Sequence, residues 1–114
     1  MKIKEISELF SLPSPTLRYY EQIGLIEPVP KINNRRDYNE NHVDQIQFVL
    51  CMKQTGLSLE EIQAYTHLYL AGPETKNQRL TILKQQKAAT LKKIQDLQDI
   101  ITYIDQKIEF VEEE

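Results

Sequence analysis

Thr16, Arg18, Tyr19 and Tyr20 fall within five consecutive positions and carry side chains suited to gripping a polyanion. A threonine hydroxyl meets a base edge or a phosphate, an arginine forks onto guanine or phosphate, and tyrosine hydroxyls donate to a sugar–phosphate backbone. Farther along, Lys31, Arg35 and Arg36 surround Asn33-Asn34, and Cys51 is the only thiol. A thiolate there would be a nucleophile toward aldehydes, enones and peroxides. A lone helical cysteine is equally at home as a small buried hydrophobe, and a Tyr-Tyr pair can place one ring in a core. Both pairs of readings stand at this point.

The elements that must position these residues follow from periodicity. Ile3, Ile6, Leu9 and Phe10 recur at the three-and-four spacing of one apolar face and predict a helix over Lys2 to Phe10. A polar, proline-containing connection, Ser11 to Ser14, leads to a second helix that stops at Gly24. Two short helices joined this tightly suggest a helix-turn-helix, whose second helix lies in the DNA major groove. Tyr20, three residues after Leu17 and three before Ile23, is spaced to pack inward. Leu25, Ile26, Val29 and Ile32 read as a short extended run, and Pro28 and Pro30 suit a sheet edge. Asn33-Asn34 makes a hairpin turn and Arg35 to Tyr38 the return strand. That hairpin is a protruding wing that carries Lys31, Arg35 and Arg36 to phosphates; a solvated loop with incidental charge is the competing reading.

A third helix is predicted from Asn41 to about Gln54, with Val43, Ile46, Val49 and Leu50 on a face that Phe48 and Met52 widen. Gly56 ends it, and Ser58 with Glu61 forms a capping box that opens a fourth helix, running to about Leu70. His42 is expected as an exposed helix-start residue, and His67 as a surface or interface residue. Ala71-Gly72-Pro73 breaks the chain, after which Thr75 to Val111 contains no Gly or Pro. A heptad fits this last stretch. Its first core position gives Leu80, Lys87, Ile94, Ile101 and Ile108, and its second Leu83, Thr90, Leu97, Ile104 and Val111, flanked by Leu91 and Ile100. At ~1.5 Å per residue this helix is roughly 55 Å long, more than a small head can cover. Its stripe must pair with another chain.

Three blocks in this order resemble the MerR family of transcription regulators: Thr16 through Ile26, the wing ending Arg36-Asp37-Tyr38, and Phe48 through Ile62. Within that family the chain is most similar to the aldehyde- and electrophile-responsive group called AdhR or NmlR, through Arg36-Asp37-Tyr38 and Phe48 to Lys53. The resemblance implies a mainly α fold: a winged helix-turn-helix head of two helix pairs and a β-hairpin, followed by a long helix that forms an antiparallel dimeric coiled coil. Residues 1–70 would bind DNA, 71–74 would act as a hinge, and 75–114 would dimerise. It adds Tyr38 and Lys53 to the DNA-binding set and assigns effector sensing to Cys51. Two departures stand out. Asn34 replaces a usual Gly in the wing, and Pro13 replaces a capping Ser or Thr, which shifts the expected cap to Ser14, with Pro15 suited to the first helical turn.

The 114 residues are 40% hydrophobic and 27% charged, with a net charge of −3. Residues 1–70 carry seven cations against nine acids, so DNA binding must rest on a local patch. A metal site needs two or more thiolates or a Cys/His cluster, whereas only Cys51, His42 and His67 are present. No cofactor is expected. Catalytic carboxylate pairs, Cys-His spacing and a glycine-rich phosphate loop are all missing, which argues against an enzyme. Neither a membrane span nor a signal-peptide core is present, so a cytoplasmic location is expected. Glu112-Glu113-Glu114 closes the sequence and leaves no length for a separate ligand-binding domain, which favours a small reactive trigger or none. The expected partners are promoter DNA, polymerase indirectly, and a second copy. A coiled-coil adaptor that binds protein is the rival.

Overall fold

The computed structural model describes residues 1–114 and is mainly helical. In chain order it contains α1 (Ile3–Phe10), α2 (Ser14–Gln22), β1 (Lys31–Ile32), β2 (Arg35–Arg36), α3 (Glu40–Gln54), α4 (Leu59–Ala71), a 3-10 turn (Pro73–Thr75) and α5 (Lys76–Glu112). Two compact units divide it, Met1–Arg79 and Leu80–Glu114.

Within the first unit, α1, α2 and α3 end in the same way. The closing residue is left-handed in each: Ser11 at φ 53°, Gly24 at φ 76° and Gly56 at φ 93°. The next residue is always Leu, and its N–H reaches back five residues: Leu12 to the Ser7 carbonyl, Leu25 to Tyr20 and Leu57 to Met52, at 2.9–3.0 Å. This cap satisfies carbonyls that the helix leaves open and turns a leucine toward the core. Leu25 and Leu57 are buried accordingly. Ser11 holds this conformation with a Cβ, at a cost of about 1 kcal/mol that glycine avoids; the Ser7 hydroxyl secures the turn by donating to the Leu12 carbonyl.

The start of α2 differs from the expected cap at Ser14. Pro13 takes the cap position with an extended backbone, and no side chain caps the helix. The Pro13 carbonyl accepts from Thr16 and Leu17, at 3.0 and 3.3 Å. Ser14 and Pro15 lie in the first turn, where proline's missing N–H leaves no helical bond unmade. Thr16 therefore sits inside the helix.

The core gathers Ile6, Leu17, Leu25, Ile26, Tyr38, Ile46, Val49 and Ile62, all at 0–1% exposure. Its less regular part is the segment from Ile23 to Val29. The expected extended run forms no strand there, and β1 is only Lys31–Ile32. Side chains take the place of a partner strand. Gln63 donates to the Ile23 carbonyl, Thr66 Oγ1 to Leu25 O at 2.9 Å, and Gln45 Oε1 accepts from Glu27 N–H at 2.7 Å. His42 Nε2 meets Pro28 O at 3.1 Å, and Glu21 Oε2 accepts from Val29 N–H at 3.2 Å. Buried backbone groups need partners, and these five supply them without a sheet.

The wing pairs Lys31 with Arg36 and Ile32 with Arg35. Asn33 (φ 51°) and Asn34 (φ 63°) form its turn, the two left-handed positions that asparagine tolerates. An antiparallel bridge between Lys2 and Asp37 ties the root of the wing to the start of α1.

Ser58 and Glu61 make the expected reciprocal cap of α4, at 3.1 and 3.2 Å. Between α4 and α5, Gly72 lies at φ 114° and ψ −174°, a region nearly confined to glycine. Thr75 Oγ1 shares its proton between the carbonyls of Leu68 (2.6 Å) and Gly72 (2.8 Å) and accepts from Arg79 Nε at 2.9 Å. Arg79 in turn lies 5.8 Å from the Tyr69 ring centroid. Thr75→Val is expected to cost about 1–2 kcal/mol in urea unfolding, because it strands these partners while keeping the side-chain shape. An unchanged midpoint would show that the hydroxyl is dispensable.

The second unit is helical until its last residues, and α5 has no buried residue. Ile94, Ile101 and Val111 are 49%, 57% and 60% exposed. No helix of the chain is long and apolar enough to cross a membrane.

Candidate nucleic-acid interface

The second helix and the wing come together around one cation-lined cleft. It measures about 470 Å³ and is lined by Lys2, Lys4, Arg18, Asn34, Arg35 and Arg36, with Ile3 beside them. A neighbouring hollow of about 410 Å³ continues it along Ile32, Asn33 and Asp37. Arg18 and Tyr19 are exposed on α2, Thr16 is half-buried, and Lys31 and Arg35 are exposed on the wing. No carboxylate lies within ion-pair reach of Lys2, Lys4, Arg18, Lys31 or Arg35.

Arg36 behaves differently. Its Nε donates to Glu21 Oε1 at 2.8 Å, with both side chains about three-quarters buried or more. Glu21 also takes the Val29 N–H, so one carboxylate on α2 fixes both the wing and the chain entering it. Burial pushes the Glu21 carboxyl up, but hydrogen bonds from Arg36 and Val29 and the charges of Arg36 and Lys31 outweigh it and hold it below the usual range. Arg36 is thus a positioning residue first, with its remaining guanidinium N–H groups beside the cleft.

Two predicted DNA contacts lie in the core. Tyr20 is 3% exposed, its ring under the Lys53 ammonium at 5.9 Å, so the inward spacing holds for this member of the pair. Tyr38 is 1% exposed and its hydroxyl is enclosed without a protein partner. Burial, with a smaller push from Glu21, raises that hydroxyl above the usual tyrosine value, against the opposing charges of Arg36 and Arg18. As folded, Tyr38 packs the base of the wing and does not reach out from it. The resemblance places Tyr38 in the DNA-binding set, whereas its burial leaves it no surface to offer a phosphate as folded.

His42 also departs from expectation, being 1% exposed. Its Nδ1 accepts the Asn39 N–H at 3.0 Å, while Asn39 Oδ1 caps the His42 N–H at 3.2 Å. With Nδ1 accepting, Nε2 must donate to Pro28 O, so both nitrogens are committed within the protein. His67 is exposed, and no three His, Cys, Asp or Glu side chains converge as metal ligands would. Cys51 is exposed on α3, and Lys53 is exposed near its end. Glu21, Lys2 and Lys4 were not anticipated. The bridge of Lys2 to Asp37 links positions 35 residues apart, and no local pattern marks it.

A family model described as MerR HTH family regulatory protein matches residues 1–69, and one described as MerR, DNA binding matches residues 43–107. The HTH-type transcriptional regulator AdhR of Bacillus subtilis (strain 168) is 41% identical over 88 residues, 76% of this chain and 63% of that protein. The chain spans 46–63% of the length of the first four curated relatives. A crystal structure of a MerR family transcriptional regulator from Listeria monocytogenes is 33% identical with a TM-score of 0.87, over 95% of this chain and 83% of that one. HiNmlR, a MerR family regulator lacking the sensor domain and bound to promoter DNA, shares the fold at a TM-score of 0.89 and 22% identity, over 98% and 90% of the two chains.

Proposed function

Because the chain belongs to the MerR family of helix-turn-helix regulators, we propose that it binds promoter DNA as a homodimer and regulates transcription there. Residues 1–70 form the DNA-binding head, 71–74 the connector and 75–114 the dimerisation helix. Thr16, Arg18 and Tyr19 face the groove and its phosphates from α2, Lys31 and Arg35 from the wing, with Arg36 set by Glu21. Lys53 serves a second phosphate near the end of α3, and its cation–π contact to Tyr20 holds that site against the recognition helix. The observation that carries this reading is the run of cations without carboxylate partners across α2 and the wing of a protein with net charge −3. A local positive patch in an acidic chain selects a polyanion at one place only. Leu80, Leu83, Ile94, Leu97, Ile101, Ile104, Ile108 and Val111 form the seam between two copies. Two heads held on a palindromic spacer bend and untwist it, so that activation draws on DNA deformation.

Cys51 is the proposed trigger, on its exposure and the resemblance to aldehyde-responsive regulators. Its thiolate adds to an aldehyde carbonyl carbon; the S–C bond forms as the C=O π pair moves to oxygen, which takes a proton from water. Footprinting and a promoter reporter, with and without formaldehyde, test both levels. Cys51→Ala is expected to protect the same DNA as wild type and to lose the formaldehyde response. A response that persists in Cys51→Ala removes the thiol from the mechanism and leaves a regulator whose cysteine is structural. Absence of any footprint from the wild type removes the DNA-binding reading and favours an adaptor.

A further inference from the structure

We propose that the N-terminal turn of α1 belongs to the DNA interface, with Lys2 and Lys4 each holding a backbone phosphate at the cleft they share with Arg35. This inference rests on the DNA-binding role above and adds a third element to it. The Lys2–Asp37 bridge presses the start of α1 against the root of the wing. Lys2, Lys4, Arg18 and Arg35 therefore line one cleft from three separate elements. Like charges gathered without counter-charges raise the energy of the free protein, and an anion entering between them relieves it.

The nearby acids do not neutralise this cluster. Glu21 is committed to Arg36 and Val29, and Glu5 accepts the Lys2 backbone N–H at 3.1 Å. Asp37 opens on the adjoining hollow and pairs with the amino group of Met1. A phosphodiester backbone crossing the cleft presents its successive phosphates to four free cations, and the flexible ammonium groups of Lys2 and Lys4 act there as point charges. The contact is accordingly one of position and affinity, not of sequence.

The test uses the full chain, a duplex from its own upstream region and a scrambled duplex of equal length, titrated by fluorescence anisotropy from ~50 to ~200 mM salt. Each phosphate contact contributes about 0.9 to the slope of log affinity against log salt. Lys2→Ala and Lys4→Ala are each expected to reduce that slope by about one, equally on both duplexes. Each variant would then lose about 3-fold less affinity than wild type across this salt range. Neither side chain has an ion pair, so circular dichroism should show an unchanged fold. Lys92→Ala, on the outer face of α5, should keep the wild-type slope. Wild-type slopes in both α1 variants would overturn the inference while leaving the DNA-binding role intact. Failure of the wild type to bind either duplex would remove that role itself.

Discussion

Ile101→Asp is expected to leave the protein a lone protomer at micromolar concentration and to abolish its footprint. Ile101 sits midway along the apolar stripe of α5 and is 57% exposed in the single chain, as are its neighbours Leu97 (59%) and Ile104 (49%). A soluble protein seldom leaves so long an apolar run to water, and nothing in the unit Leu80–Glu114 folds back to cover it. Pairing two such helices buries the stripe twice over. An aspartate there would sit in an apolar seam without a cation partner, a change that costs several kcal/mol for each copy. Two copies double the penalty. Sedimentation velocity of wild type and variant decides the matter. A variant that sediments like wild type would place the dimer contact elsewhere, and a wild type that is monomeric would end the two-headed reading. The helix itself should survive, since Ile101 has no partner within its own chain to lose.

What the sequence disclosed divides by range. The Asn33-Asn34 turn, the Ser58–Glu61 cap, the stops at Gly24 and Gly56 and the apolar period of α5 are local, each written within a few residues. Apart from the cap of α2, which lies at Pro13 and not Ser14, the hidden features are long-range. Gln63 and Thr66 reach Ile23 and Leu25 across 40 and 41 positions, and their glutamine and threonine look like ordinary helix residues in the sequence. The stretch from Leu25 to Val29 reads as part of an extended run because Leu25, Ile26 and Val29 are apolar, yet its backbone is satisfied by side chains of α2, α3 and α4. A place at a helix start suggests an exposed His42. It is buried because Pro28 brings a carbonyl to its Nε2. The basic site was half legible for the same reason: Arg18, Lys31 and Arg35 lie in recognisable helix and hairpin segments, whereas Lys2 and Lys4 join them only through tertiary folding.

Glu21→Gln is expected to lower stability by about 1–2 kcal/mol at neutral pH, since the hydrogen-bonded ion pair with Arg36 becomes a bond from the guanidinium to a neutral amide oxygen. The variant also leaves the partly buried Arg36 guanidinium without its counter-charge. The effect should depend on pH in a defined direction. The folded protein holds the Glu21 carboxyl below its ordinary value, so the ionised form is favoured by folding. That stabilisation is fully present above the unfolded value of about 4.3 and disappears as pH falls through the lower folded value. Urea unfolding of wild type and Glu21→Gln should therefore differ by a constant amount from pH 7 to about 5, and the two should converge as the pH falls further and the carboxylate is protonated. Other carboxylates titrate alike in both proteins and cancel in the difference. A gap that stays constant into acid would mean that shape, not charge, makes Glu21 matter. A gap near zero at pH 7 would mean that the wing is held by its turn and the Lys2 bridge alone. Either result would separate the placement of the wing from its electrostatics, and would decide whether Arg36 is a strut for the wing or a cation kept in reserve for phosphate.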